Sequence, residues 1–375
     1  MKYCVKCVYP MSSAVPLEFD TEGVCSGCKV ANTKDNVDWD ERKELFIELI
    51  QETKATNNSL YDCIIPVSGG KDSYYQTHII KNILNLNPLL VTYNANNYSE
   101  TGWTNLQQMK NVFSVDHLIF SPSTETLIKL NQLGMLIMGD MNWHAHCGIE
   151  TYPIREAVEK NISLMIWGEH GFTELGGMHS YNDFVEFTYR YRHEHGIRGF
   201  EYYDMLAAAK DYNIDLQKKE MTPWIYPEDN LINKLNLRGI YISNYFRWEA
   251  NEHTKFVIDN FGFKLPKNGF DRTYKLASNL DDIHENGVHD YMKYIKFGYG
   301  RATDHACKDI RAGIMTRDEA IAMVRKYDHV EPSDLNRWLD YVGWTKDYFY
   351  EVANRFRDSR VWKKDVSGNW IKDNI

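Results

Sequence analysis

Between residues 61 and 167, short apolar runs alternate with amphipathic stretches, and this alternation is the clearest structural signal in the chain. Residues 61–67 form an apolar run of strand length. The stretch 73–84 that follows sets Ile79, Ile80, Ile83 and Leu84 at helical spacing. Further strands are predicted over 88–93, 117–120 and 163–167. Helices are predicted over 103–113, 124–138 and 153–160, the last with Pro153 at its start. Near-continuous apolar strands separated by helices predict an α/β fold, a doubly wound parallel sheet with ligands at the carboxyl ends of its strands. Upstream, Asp38-Trp39-Asp40 introduces a charged amphipathic helix over 41–52. From about residue 182 the text turns aromatic-rich and mostly helical, with few β runs. Thr316 and Glu319 form a capping box that opens a helix through Tyr327. Ser333-Asp334 predicts another helix start, and 344–357 a last helix. The tail from Asp358 is polar and reads as loosely ordered.

The cysteines add a second feature. Four of the seven lie in the first 28 residues, as Cys4-x-x-Cys7 and Cys25-x-x-Cys28. Paired knuckles at this separation read as a tetrahedral four-thiolate zinc site. Such a closed site has no open position, so its expected role is structural. Cys63, Cys147 and Cys307 are scattered. The expected organisation is a zinc knuckle over 1–37, a linking helix over 38–60, a nucleotide-binding domain over 61–181, and a mostly helical substrate or partner region over 182–375.

Composition narrows the class. The 375 residues are 43% hydrophobic and 25% charged, an ordinary globular balance, with net charge −9. That sign disfavours charge-driven nucleic-acid binding, which neutralises phosphates. No apolar run approaches the roughly 20 residues needed to span a bilayer, and the N-terminus lacks a signal-peptide stretch. A cytoplasmic location without nucleic-acid or membrane partners is expected.

The candidate chemistry sits directly after the first strand, in Ser68-Gly69-Gly70-Lys71-Asp72-Ser73. Adjacent glycines let several backbone N–H groups converge on one anion, and the following helix adds its positive N-terminal end. Ser68 and Ser73 supply hydroxyls and Lys71 a point charge for phosphate. Asp72 is expected to orient Lys71 or a Mg²⁺ ion. The segment is not a Walker A loop, because Ile65 stands where glycine is required and Asp72 where Ser or Thr is required. The predicted ligand is a polyphosphate.

This loop resembles the pyrophosphate (PP) loop of the ATP pyrophosphatases, which split ATP between its α- and β-phosphates. Taken with the paired knuckles, Trp167-Gly168-Glu169-His170, Gly176-Gly177 and Tyr294-Ile-Lys-Phe-Gly-Tyr-Gly-Arg301 continuing to Asp309-Ile310-Arg311, the chain resembles the N-acetyl sugar amidotransferases of bacterial surface-polysaccharide biosynthesis. The resemblance implies a PP-loop (HUP-like) fold and an AMP-forming reaction. An N-acetyl group would be activated as an O-adenylated imidate and converted by ammonia to an acetamidino group. It implies ATP, Mg²⁺ and structural Zn²⁺ as cofactors. Lys71, Asp72, Glu169 and Arg301 are the candidate catalytic residues, and the 68–73 loop with Gly168 binds ATP. Tyr93-Asn94, at the end of the second strand, either contacts adenine or ribose or merely caps the strand. Glu169 either binds Mg²⁺ or takes a proton from ammonia. His170 either takes that proton or is a satisfied turn histidine.

Cys147, within Trp143-His144-Ala145-His146-Cys147, is placed near the ammonia or sugar pocket by position alone; the segment is not expected to bind a second metal. Arg301, Asp304, His305 and Arg311 either recognise a phosphate or carboxylate of the substrate or form an interdomain ion-pair cluster. Tyr189 to His195, a local basic–aromatic run, is unassigned. No cysteine lies in a glutaminase elbow, so the resemblance implies a separate glutaminase partner with a cyclase-like conduit subunit. Two other classes are open. A tRNA-modifying PP-loop sulfurtransferase would need clustered cysteines near the loop. A non-catalytic nucleotide-binding zinc module would bind ATP without releasing pyrophosphate.

Overall fold

The computed structural model describes residues 2–56, 59–95, 97–277 and 283–375. Its centre is a six-stranded sheet built from β1 (Cys63–Pro66), β2 (Pro88–Tyr93), β3 (Asp116–Phe120), β4 (Leu164–Trp167), β5 (Glu186–Phe187) and β6 (Arg238–Tyr241). The strand order is β3-β2-β1-β4-β6-β5, parallel throughout except for β5 against β6. The chain runs outward from β1 to β3, then returns to place β4 on the other side of β1. The carboxyl ends of β1 and β4 therefore flank the point where the winding reverses, the position that opens a ligand crevice in such sheets.

Strand alternation divides the core in two. Ile64, Leu89, Val91 and Tyr93 face one layer, where they pack with Leu127, Leu130 and Leu133 of the Thr124–Met138 helix and with Cys147 and Ile154 of the Trp143–Lys160 helix. Cys63, Ile65 and Leu90 face the other layer, with Phe46 from the Trp39–Thr56 helix, Tyr74 and Ile79 after the PP-like loop, and Leu106, Met109 and Val257. This is the doubly wound α/β sheet expected from the pattern.

Three expectations need correction. The helix expected over 153–160 begins at Trp143, with Pro153 inside it. Trp143, His144, Cys147, Gly148, Thr151 and Tyr152 are buried at helical spacing, but they mix polar with apolar types and Ile149 is exposed, so the sequence carries no clean apolar stripe to mark the helix. The boundary expected at 181 cuts the sheet, because β5 and β6 lie beyond it and the Ala250–Phe261 helix packs against the Lys71–His78 helix. The helix start expected at Ser333-Asp334 is present, with Asp334 at the N-cap of Leu335–Val342 though without a side-chain capping bond. The tail after Asp358 is ordered: Trp362–Lys364 and Trp370–Lys372 form an antiparallel hairpin, with Trp362 buried beneath the Arg357 guanidinium. The expected capping box at Thr316 is present, opening the Arg317–Tyr327 helix.

The C-terminal helices make two further cores. Asn286–Phe297, Leu335–Val342 and Lys346–Asn354 bury Val288, Trp338 and Phe349 against Met135 and Leu136. The knuckle cysteines, Val8 and Tyr9 pack with Tyr299, Ala306, Cys307 and Ala320 from the Arg301–Arg311 and Arg317–Tyr327 helices. Among the described residues, no helix is long and apolar enough to cross a membrane.

Candidate active site

The loop after β1 folds around its own hydroxyls. The Ser68 amide donates to Ser73 Oγ at 3.0 Å, and the Gly70 amide donates to Ser68 Oγ at 3.2 Å. Gly69 adopts φ +86°, and a Cβ there would lie 2.8 Å from the Leu106 backbone of the Glu100–Phe113 helix. Glycine is required on both counts. Gly69→Ala is expected to destabilise the protein by about 2 kcal/mol, read as a lower denaturant midpoint at unchanged slope; an unaltered midpoint would show that the loop is not held against that helix.

Gly70 caps the Lys71–His78 helix. Lys71 is mostly buried, and its Nζ lies 2.7 Å from Asp72 Oδ2. Burial works to raise the Asp72 carboxyl, but the Lys71 ammonium outweighs it and holds the group below the usual carboxylate range. Asp72 Oδ1 is shielded from solvent and has no hydrogen-bond partner among the described residues. That orphaned carboxylate oxygen, beside a polyphosphate loop, fits a Mg²⁺ ligand.

Lys71 and Asp72 open on a cavity of about 880 Å³. Glu169, from the loop after β4, forms part of the same wall, and the Arg301–Arg311 helix closes the far side with Arg301, Asp304, His305, Lys308 and Asp309. Positions 301, 305 and 308 share one helix face. Lys308 Nζ reaches both Glu169 oxygens, at 2.6 and 2.9 Å, and so ties this helix to the exit of β4. Arg301 Nε donates to Asp290 Oδ2 at 2.8 Å. Lys275 Nζ pairs with Asp309 at 2.6 Å. Lys308 and Lys275 were missed from sequence; the 301/305/308 polar stripe was the readable signal for Lys308.

The other expected residues divide. Gly168 lies at the β4 exit, where a Cβ would come within 3.3 Å of Gln76 Oε1. Asn94 is held at the β2 end by its amide on Phe120 O at 2.8 Å and its Nδ2 on Ser121 Oγ at 2.8 Å. The side chain of Tyr93 turns into the opposite core layer, with its hydroxyl 3.2 Å from His144 Nδ1, because strand alternation directs it there. Cys147 is buried in that same layer, 3.1 Å from Arg192 Nη2, and burial pushes its thiol up to about 11; it forms no part of the cavity wall. His170 is likewise off the wall: its Nδ1 meets Thr173 Oγ1 at 2.8 Å, and burial followed by repulsion from His179 and His195 lowers it to about 4.

Asp304 is engaged by the Tyr9 hydroxyl at 2.7 Å and by Lys293. Arg311 donates to the Glu174 and Leu175 carbonyls at 2.9 and 2.8 Å. Both are fastenings of the wall. Arg192, in the unassigned basic–aromatic run, is fully buried in an ion pair with Glu201. His144, in the 143–147 segment, pairs with Tyr93 and Asn131.

The knuckle brings Cys4, Cys7, Cys25 and Cys28 together, with all four sulfurs within 4.8 Å of one another and buried. Cys7 and Cys25 Sγ are 3.7 Å apart, close to the roughly 3.8 Å edge of a tetrahedron with 2.3 Å zinc–sulfur bonds. The Lys6, Cys7 and Cys25 amides all donate to Cys4 Sγ, which stabilises a thiolate there. The donor set and its amide shell fit a structural metal. Among the described residues it is the sole group of this kind, and Cys63 and Cys147 lie apart from it in the two sheet cores.

Residues 250–373 match the family model described as "LPS biosynthesis protein WbpG-like, C-terminal domain". The match agrees with the surface-polysaccharide part of the resemblance read from the motifs. The matched segment carries Arg301, His305 and Lys308, the far wall of the cavity. Similar solved structures include the NH3-dependent NAD synthetase from Campylobacter jejuni subsp. jejuni NCTC 11168, at 17% identity and TM-score 0.31, covering 62% of this chain and 100% of that one. NMN synthetase from Francisella tularensis aligns at 13% identity and TM-score 0.30, covering 62% and 99%. The U34-tRNA thiolase NcsA from Methanococcus maripaludis aligns at 12% identity and TM-score 0.24, covering 69% and 83%. No curated protein matches the chain.

Proposed function

We propose that the chain is an ATP-dependent, AMP-forming amidotransferase of lipopolysaccharide biosynthesis that converts the N-acetyl group of a sugar to an acetamidino group. One observation carries the reading: Lys71 and Asp72 of the 68–73 loop and the WbpG-like helix bearing Arg301 and Lys308 line a single cavity of a size suited to a nucleotide and a sugar. The loop amides, Ser68, Ser73 and Lys71 hold the β- and γ-phosphates. The acetamido oxygen attacks the α-phosphorus, the bond to the bridging oxygen breaks, and pyrophosphate leaves. An amide oxygen is a poor leaving group, and adenylation makes it a good one. Ammonia then adds to the imidate carbon and AMP departs with that oxygen.

Lys308 and Arg301 are placed to stabilise charge growing at the α-phosphate, with Glu169 fixing the Lys308 ammonium. Asp72 would hold Mg²⁺, which neutralises phosphate charge when bound. Ammonia comes from a partner glutaminase with a cyclase-like conduit subunit, in the cytoplasm. Zinc fills the four-thiolate site. The isolation of Cys63 and Cys147 in separate cores leaves the sulfurtransferase reading without a cysteine cluster at the loop.

The test supplies ATP, Mg²⁺ and ammonium chloride with a panel of UDP-linked N-acetyl sugars and free N-acetylated nonulosonic acids. A product about one dalton lighter (oxygen replaced by NH), formed with stoichiometric AMP and pyrophosphate, is expected. Nucleotide bound with no pyrophosphate released across the panel would instead identify a binding module. Glutamine in place of ammonium should give weak turnover unless the glutaminase is added.

A further inference from the structure

Adding ammonia to an imidate creates a proton that must go somewhere. The nitrogen of the adduct carries a positive charge, and until that charge is lost its lone pair cannot expel AMP. Two groups suggested by the sequence do not serve. His170 is outside the cavity wall, and both oxygens of Glu169 are spent on Lys308. His305 is on the wall. Its Nδ1 lies 2.6 Å from Thr273 Oγ1, a buried hydroxyl that also accepts the Lys275 amide at 3.3 Å. With Nδ1–H donating to that oxygen, Nε2 is the basic nitrogen of the ring.

Resting on the reading above, we propose that His305 is the base that takes the proton from the attacking nitrogen, and that the phosphates of bound nucleotide arm it. The step balances as follows. The C–N bond forms as the imidate C=N π pair moves onto the sugar nitrogen, which carries the original acetamido proton, and one proton of the ammonia nitrogen passes to His305 Nε2. The lone pair freed on the incoming nitrogen makes a new C=N bond, the C–O bond breaks with its electrons going to AMP, and the product is the amidinium. The imidazolium returns its proton to solvent as products leave.

The arming follows from the surroundings. Burial and four cations, Arg301, Lys275, Lys308 and Lys71, hold the ring far below the ordinary imidazole range, so in the free protein it is neutral and a weak base. These cations come from three elements: Arg301 and Lys308 from its own helix, Lys71 from the PP-like loop, and Lys275 from the segment that also supplies Thr273 and, 6.4 Å away ring to ring, Tyr274. Asp304 and Asp309, the acidic neighbours on its helix, are occupied by Lys293 and by Lys275. A bound polyphosphate supplies the negative charge that these cations face, which lifts the penalty on an imidazolium. The base then becomes competent only with nucleotide in place, and it cannot be consumed by solvent protons beforehand.

The test uses the full chain labelled with ¹⁵N-histidine. The His305 ring is expected to remain neutral from pH 5 to 8, with Nδ1 protonated and Nε2 bare. Mg²⁺ with α,β-methylene-ATP, which cannot release pyrophosphate, is expected to raise its titration midpoint by about one unit or more. If the analogue shifts the amides of residues 68–73 but leaves the His305 titration or its tautomer otherwise, the proposal is overturned. If those loop amides do not respond either, the nucleotide reading itself fails. In turnover with the panel member that reacts, His305→Asn is expected to reduce amidine formation by about 10²-fold or more. Pyrophosphate release should fall much less, so that pyrophosphate formed per amidine rises above one. An equal fall in both products would make His305 structural.

Discussion

Lys71→Ala is expected to lower pyrophosphate release by about 10²–10³-fold while leaving the metal content of the knuckle unchanged. Lys71 is mostly buried and lies at the first turn of the helix that follows the loop, so its ammonium is fixed where the leaving diphosphate gathers charge. A unit charge about 4 Å from another is worth roughly 4 kcal/mol at the effective dielectric of a protein surface, enough to account for a loss of that order. The deletion has a second cost. Asp72, whose Oδ2 sits 2.7 Å from Lys71 Nζ, would face the polyphosphate with its charge uncompensated. Lys71→Ala with Asp72→Asn should therefore recover part of the nucleotide affinity lost in the single variant, but little of the rate. Nucleotide binding is followed by calorimetry and pyrophosphate by a coupled assay. Pyrophosphate release within a few-fold of the parent in Lys71→Ala would place the reacting phosphates elsewhere in the cavity.

The difference in legibility between the two walls of that cavity has a physical origin. The loop wall is local: strand, glycine turn, lysine and helix follow each other within a dozen residues, so neighbours in sequence are neighbours in space. The Pro88–Tyr93 strand and the Thr124–Met138 helix likewise match their predicted bounds, because one is a continuous apolar run and the other a clear helical pattern ended by a left-handed glycine. The far wall is assembled at long range. Lys308 meets Glu169 across 139 positions, and no short-range pattern announces such a meeting. Strand β5 escaped notice because it is two residues long, and β6 because it opens on Arg238-Gly239 instead of an apolar run. Tyr93 and Cys147 were placed in the site by their position in the chain. Side-chain direction decided otherwise, since a residue at the carboxyl end of a strand can still face the wrong layer. Asp304 and Arg311, read as substrate contacts or ion-pair residues, join the knuckle and the loop after β4 to the Arg301–Arg311 helix.

That joining makes the knuckle's expected effect on catalysis large, although no cysteine touches the cavity. Cys4→Ser is expected to release the metal and unfold residues 2–31 locally, since binding free energy in such sites is folding free energy. Cys4 is the most sensitive of the four choices because its sulfur also accepts three backbone amides. The consequence then travels along named contacts. Tyr9 loses Asp304, Arg317 loses the Cys4 and Cys7 carbonyls at 3.2 Å each, and Arg311 loses Cys25 Sγ at 3.6 Å. The Arg301–Arg311 helix keeps its ties to the rest of the chain, among them those of Lys308, Arg301, Arg311 and Asp309, but loses every contact with the knuckle. With one side of the helix unsupported, His305 and Lys308 are held less closely, and a misplacement of about 1 Å can cost about 10²-fold in rate. Activity should thus fall as far as in Lys71→Ala, but for a different reason, which hydrogen exchange separates. In Cys4→Ser the amides of 301–311 should exchange faster along with those of 2–31, whereas in Lys71→Ala both segments should stay protected. Metal loss with undiminished protection over 301–311 would mean that the helix is positioned by the sheet alone and that the thiolate site steadies nothing beyond its own turn.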